Sequence, residues 1–211
     1  MLFVNSLCKK GVKACSLVYE FSLRQQIRSM SLIAPGTSML SSVIHLEKAR
    51  PWYNNASEGS NLASDNAVRL TDLFKGKTVA LFGVPAPFTG TCTNEHYPGY
   101  KKLADELLDA GCDDIICYSV SDPYAHHGWQ LALKNDPRKI QFFADPEATF
   151  AKAYGVDRVY DKVSLGTRSE RFSMIVVDGN VAYFKVVDNA AADAEQLLEE
   201  LREIKDNKEF A

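Results

Sequence analysis

With 211 residues, hydrophobic side chains at 46%, charged ones at 24% and aromatic ones at 10%, the chain has the composition of a globular protein with room for one domain and a short extension, which excludes wholesale disorder, collagen and coiled coil. The formal charge of −3 is uneven: residues 1–29 carry Lys9, Lys10, Lys13, Arg24 and Arg28 against Glu20 alone, a net +4 that leaves −7 on the rest. An acidic body offers no basic stripe to nucleic acid, and its longest strongly apolar runs, such as Val79 to Val84, are strand-sized and too short to span a membrane.

Residues 1–29 are poor in acids, contain serine and are punctuated by Leu2, Phe3, Val4, Leu17, Val18, Phe21 and Leu23, the make-up of an organelle transit peptide. Lys9, Lys10 and Lys13 interrupt the unbroken apolar stretch that a secretory signal needs. Mitochondrion is the first expectation and plastid the second, with a cytosolic form if synthesis starts at Met30; a basic tail without an address is the plainer alternative. Residues 30–66 read as an extended segment, rich in Pro, Gly, Ser and Asn, around an apolar-rich run at 43–47. That run is expected to be an edge strand of the domain at 67–211.

Leu73 and Phe74 before Gly76 predict a single helical turn over Leu70 to Lys77, and Thr78 to Val84 reads as a fully buried strand. From Cys92 to Ala110 the apolar positions Tyr97, Tyr100, Leu103, Leu107 and Leu108 recur at helical spacing, with Gly111 closing the helix and Pro98 expected to bend it. Ile115 to Val120 predicts a strand, Pro123 to Lys134 a helix, Ile140 to Ala144 a strand and Thr149 to Tyr154 a short helix. Phe172 to Val177 and Val181 to Val187 flank Asp178-Gly179-Asn180, a hairpin signal, and Leu197, Leu198, Leu201 and Ile204 stripe a last helix over 191–205. This order predicts an α/β chain with a thioredoxin-like fold: a central mixed β-sheet with an antiparallel end and helices on both faces.

Five cysteines, at 8, 15, 92, 112 and 117, form no C-x-x-C pair, so zinc-ribbon and thioredoxin-type redox motifs are absent. An odd count without a secretory signal points to free thiols in a reducing compartment. Cys92 follows a buried strand and the loop Val84-Pro85-Ala86-Pro87-Phe88-Thr89-Gly90-Thr91, and it opens a helix, which is where ligands bind in open α/β sheets. Unpaired backbone N–H groups and the positive end of the helix dipole there favour a thiolate, and Pro85 and Pro87 stiffen the loop beneath it. An inert buried cysteine is the bland alternative.

Pro85-x-x-x-Thr89-x-x-Cys92 matches the P-x-x-x-T-x-x-C signature of peroxiredoxins, and FGVPAPFTGTC followed by His96-x-Pro98-Gly99 resembles their atypical, type II branch. The resemblance runs from Leu73 to Asp178 and takes in Cys117-Tyr118-Ser119-Val120-Ser121-Asp122, Trp129, Ala144-Asp145-Pro146 and Arg171-Phe172-Ser173-Met174. Two departures are visible: Ala86-Pro87 stands where the branch usually has Gly-Ala, and Gly90 replaces a common proline. The resemblance implies a thiol-dependent peroxidase for hydrogen peroxide and alkyl hydroperoxides. Cys92 would be its peroxidatic residue, passing through a sulfenic acid, with Thr89, Arg171 and Pro85 around the sulfur and His96 as a supporting polar residue. Arg168 is the rival guanidinium, but the family's arginine directly precedes Phe-Ser-Met, which selects Arg171.

The same residues admit other readings. His96 lies four residues beyond Cys92, as a Cys-His nucleophile of hydrolase type would place it, but no Asn or Asp is identifiable as a third member. His126-His127 reads as a surface pair rather than a metal site, and without glycine-rich phosphate loops no cofactor and no metal are expected. A thioredoxin-fold binding, chaperone or redox-sensing module without turnover is the alternative from another class. Cys117 holds the position of the resolving thiol in the type II enzymes that the chain resembles, yet it sits inside a strand. Cys112, expected to be more exposed, lies about 30 Å along the helix from Cys92 at 1.5 Å per residue. An external thiol, glutathione or a glutaredoxin, is therefore favoured over Cys117 for resolving the sulfenic acid, with thioredoxin an open alternative as reductant, and the resemblance suggests a homodimer.

Overall fold

The computed structural model describes residues 32–209. The transit-type segment, Met30, Cys8 and Cys15 lie outside the described residues.

Seven strands form one mixed sheet in the order β2-β1-β5-β4-β3-β8-β9. Its centre is β3 (Thr78–Gly83), β4 (Asp114–Ser119) and β5 (Ile140–Ala144), paired in parallel. Antiparallel strands extend it on both sides: β1 (His45–Lys48) and β2 (Ala67–Arg69) beyond β5, β8 (Phe172–Val177) and β9 (Asn180–Val186) beyond β3. The strand expected at 43–47 is therefore internal. β2, too short to show any alternation, takes the edge outside it. A one-turn helix α1 (Ala63–Asn66) precedes β2, and a small separate hairpin of β6 (Asp157–Val159) and β7 (Thr167–Ser169) precedes β8. The sequence pattern had shown neither.

Alternation in the central strands divides the core between the two faces of the sheet. On one face Val79, Leu81, Ile116, Tyr118 and Met174 pack with α2 (Leu70–Phe74) and α5 (Thr149–Ala153). On the other, Ala80, Phe82, Ile115, Cys117, Phe142 and Ile175 pack with α3 (Tyr97–Asp109), Trp129 of α4 (Pro123–Ala132) and α6 (Asp193–Glu209). The expected mixed sheet with helices on both faces is the observed one.

Two glycines have work that no other residue does as easily. Gly179 has φ +75° and follows Asp178 at φ +45°, so the hairpin turns through two left-handed residues whose twist matches the strands. Gly83 ends β3 opposite Phe172, and a Cβ there would lie 2.2 Å from the ring. The chain can therefore leave the sheet under Phe172 and enter the loop that carries the site.

Candidate active site

β3 hands the chain to a loop fixed at both ends. The Val84 amide donates to the Tyr118 carbonyl at 2.9 Å, and Ser169 Oγ donates to the Val84 carbonyl at 3.3 Å. Pro85 is buried, and Phe88 takes the left-handed φ of +61° with its ring exposed. The Thr89 hydroxyl donates to the Ala86 carbonyl at 3.0 Å, while the Thr89 carbonyl accepts from the Thr93 amide at 2.9 Å. The helix that follows is irregular just before Pro98, as a π-helical stretch over Cys92–His96 in which the Tyr97 amide reaches back to the Cys92 carbonyl, and Pro98 is the second residue of α3.

Cys92 is 1% exposed, and its sulfur lies 3.4 Å from Nη2 of Arg171. Arg171 is held just before β8, where its carbonyl accepts from the Val187 amide at 2.9 Å. Nη1 of the same guanidinium lies 3.1 Å from Nδ1 of His96. His96 is fully buried, stands edge-on to Phe82 with centroids 5.3 Å apart, and places Nε2 2.9 Å from Oδ2 of Asp193. Burial lowers the His96 pKa; Asp193 pulls the other way, and the Arg171 charge adds to the lowering. The ring is thus neutral, accepting from Arg171 and donating to Asp193.

The structure brings Cys92, Arg171 and His96 together, and Pro85 and Thr89 stand in the loop that leads to the sulfur. Asp193 was missed, and the statement that no acid orients His96 is corrected by it. The signal was present: Asp193 falls four residues before Leu197, on the buried stripe of an otherwise apolar helix face. This acid does not make a hydrolase triad, because both ring nitrogens of His96 are committed, to Arg171 and to Asp193. Arg168 is tied to the Val120 and Leu165 carbonyls instead.

The other expectations divide. Cys117 lies in the middle of β4, fully buried, and burial, reinforced by the charge of a Cys92 thiolate, pushes its thiol pKa well up. Cys112 is buried rather than exposed: its sulfur accepts from the Ala80 amide at 3.2 Å and donates to the Asp114 carbonyl at 3.0 Å. Burial raises its pKa to about 11. The adjacent histidines are not a surface pair, since only His127 is partly exposed and His126 is fully buried against Ser119. Among the described residues no cluster of three His, Cys, Asp or Glu side chains suits a metal ion.

The Redoxin family matches residues 54–198. Peroxiredoxin-2F, mitochondrial, of Arabidopsis thaliana is 39% identical over 158 residues, which is 73% of this chain and 75% of the relative. The protein of the same name from Oryza sativa subsp. japonica is 33% identical over 180 residues, 82% of this chain and 88% of that one. The crystal structure of reduced Prx3 in complex with h2o2 from Vibrio vulnificus superposes with a TM-score of 0.66 at 31% identity, covering 80% of this chain and 96% of the other. Relatives of this identity, spanning most of both chains, carry the resemblance well beyond its short motifs: the chain belongs to the peroxiredoxin family and is a type II, thiol-dependent peroxidase.

Proposed function

We propose that Cys92 is the peroxidatic residue, with Arg171, Thr89 and Pro85 as its catalytic surroundings and His96 in support. One observation carries the assignment: a permanent cation lies 3.4 Å from the sulfur of a cysteine at the start of a helix. The thiolate attacks the terminal oxygen of the hydroperoxide, the S–O bond forms as the O–O bond breaks, and the electron pair leaves on an alkoxide or hydroxide that then takes a proton. Arg171 neutralises the sulfur beforehand and shares the charge that develops on the leaving oxygen. The Thr89 proton is already committed to the Ala86 carbonyl, which leaves its oxygen to accept from the hydroperoxide O–H. Pro85 shields the thiolate from water.

The sulfenic acid then meets an external thiol, giving a mixed disulfide and water. A second thiol releases Cys92 and carries away a disulfide, so both electrons come from outside and no resident cofactor is required. Burial of Cys117 and Cys112 supports an external thiol, such as glutathione, a glutaredoxin or thioredoxin, over an internal one as that reductant. Cys92→Ser is expected to abolish hydroperoxide reduction with the far-UV circular dichroism unchanged, because an alcohol is a far poorer nucleophile at pH 7. Turnover within a few-fold of the parent would remove Cys92 from the chemistry.

The enzyme acts as a homodimer in the mitochondrion, a reading supported by the family, by the printed names of its relatives and by the +4 charge of residues 1–29. A fluorescent reporter fused to residues 1–40 that stayed diffuse in the cytosol would contradict the address, and a monomeric mass by light scattering would contradict the dimer.

A further inference from the structure

We propose that Asp193 is a positioning residue for the peroxide chemistry: through the ring of His96 it fixes where the Arg171 guanidinium lies against Cys92. The inference rests on Cys92 being the peroxide-reactive thiol.

A guanidinium has only donors. With Arg171 Nη1 at 3.1 Å, Nδ1 of His96 must offer a lone pair, and the ring proton must sit on Nε2. A carboxylate, which only accepts, stands 2.9 Å from that nitrogen, so Asp193 selects the tautomer that Arg171 needs. Because the guanidinium is planar and rigid, holding Nη1 on His96 also aims Nη2 at the Cys92 sulfur, 3.4 Å away. With the proton on Nδ1 instead, two N–H groups would oppose each other and the guanidinium would swing off the sulfur.

The carboxylate is itself held from other sides. Tyr100 donates to Oδ2 at 2.6 Å and Ser173 to Oδ1 at 2.8 Å, so three donors compensate a group that is 1% exposed. Tyr100 is stacked on Phe82 of β3 at 3.8 Å between centroids, and Ser173 lies in β8 two residues beyond Arg171. Gly99 admits the start of α6 to this place, since a Cβ there would already sit 3.3 Å from that of Ala194. Asp193 thus joins α6, α3 and β8 at one point, with its lever on the sulfur.

The test is the second-order rate at which hydrogen peroxide oxidises Cys92 in the full chain, with thermal unfolding measured alongside. Asp193→Ala should slow oxidation about 10- to 100-fold, by analogy with carboxylates that orient metal-bound histidines. Asp193→Asn should recover most of that rate, since its oxygen can still receive the Nε2 proton while its amide turns to Ser173; a purely structural role would make the rates follow the unfolding midpoints instead. Combined with Arg171→Met, Asp193→Ala should add nothing, because its effect passes through the guanidinium. Should Asp193→Ala fail to fold, His96→Leu carries the same comparison and must likewise lose its effect in the Arg171→Met background. A folded Asp193→Ala at the parent rate, or losses that add independently to that of Arg171→Met, would overturn the inference. Arg171→Met at the parent rate would overturn the site itself, which separates the two failures.

Discussion

His126 is fully buried, with ring centroids 6.2 Å from Trp129 and 5.6 Å from Phe142. Its Nε2 meets Ser119 Oγ, its Nδ1 is buried without a hydrogen-bond partner among the described residues, and burial lowers its pKa to about 3. The unfolded chain, with a histidine near 6.5, therefore binds this proton first as pH falls. The stabilising contribution is complete above about pH 6.5 and is lost progressively towards pH 3, at about 1.4 kcal/mol per pH unit. Urea unfolding between pH 7 and 5.5, above the range where carboxylates dominate, should show stability falling towards this slope as the pH is lowered, and His126→Leu should reduce the fall to the part that His96 shares; an equal fall in the variant would assign the effect to other groups. The sequence made Cys92 legible because strand, loop and helix start are local signals. It could not tell which of two adjacent histidines faces the core, and although the helical stripe marks Asp193 as buried, its partners His96, Tyr100 and Ser173 lie far away in sequence and leave no local signal.

At the level of elements, the π-helical stretch sets how two residues spaced by four share the Arg171 guanidinium. An α-helical reading stacks His96 on Cys92, whereas the wider turn over Cys92–His96 lets the ring lie between Arg171 and Asp193. One extra residue in a turn leaves no trace in apolar periodicity. The same holds for β2, β6 and β7, each three residues long and without a face to alternate, while the long strands and α3, α4 and α6 were legible to within a few residues. Gly83 is a further element-scale constraint, fitted against the fully buried Phe172 with no room for a methyl group. Gly83→Ala should cost about 1–3 kcal/mol by overpacking. Because the loop starts there, it should also slow peroxide oxidation of Cys92; unchanged stability and rate by urea unfolding and stopped flow would mean that Phe172 moves aside freely.

Across the whole molecule, Cys92, Cys112 and Cys117 all belong to the core on one face of the sheet. A bridge from Cys92 to Cys117 would require the π-helical stretch to open, because a fully buried strand residue cannot come out to meet it. Cys117→Ser should therefore retain turnover with a glutathione-based reductant. Intact mass after one equivalent of peroxide, without added thiol, should show a gain of oxygen; a loss of two hydrogens that Cys117→Ser abolishes would establish the internal bridge instead. The distance in sequence between the parts of the site also matters while the protein is being made. Arg171 follows Cys92 by 79 residues and Asp193 follows His96 by 97. A ribosome therefore releases the cysteine well before the guanidinium and the carboxylate proposed to act on it. On the assignment proposed above, the growing chain holds Cys92 without its guanidinium until β8 has paired and α6 has docked, so the site is assembled only after the scaffold around it has closed.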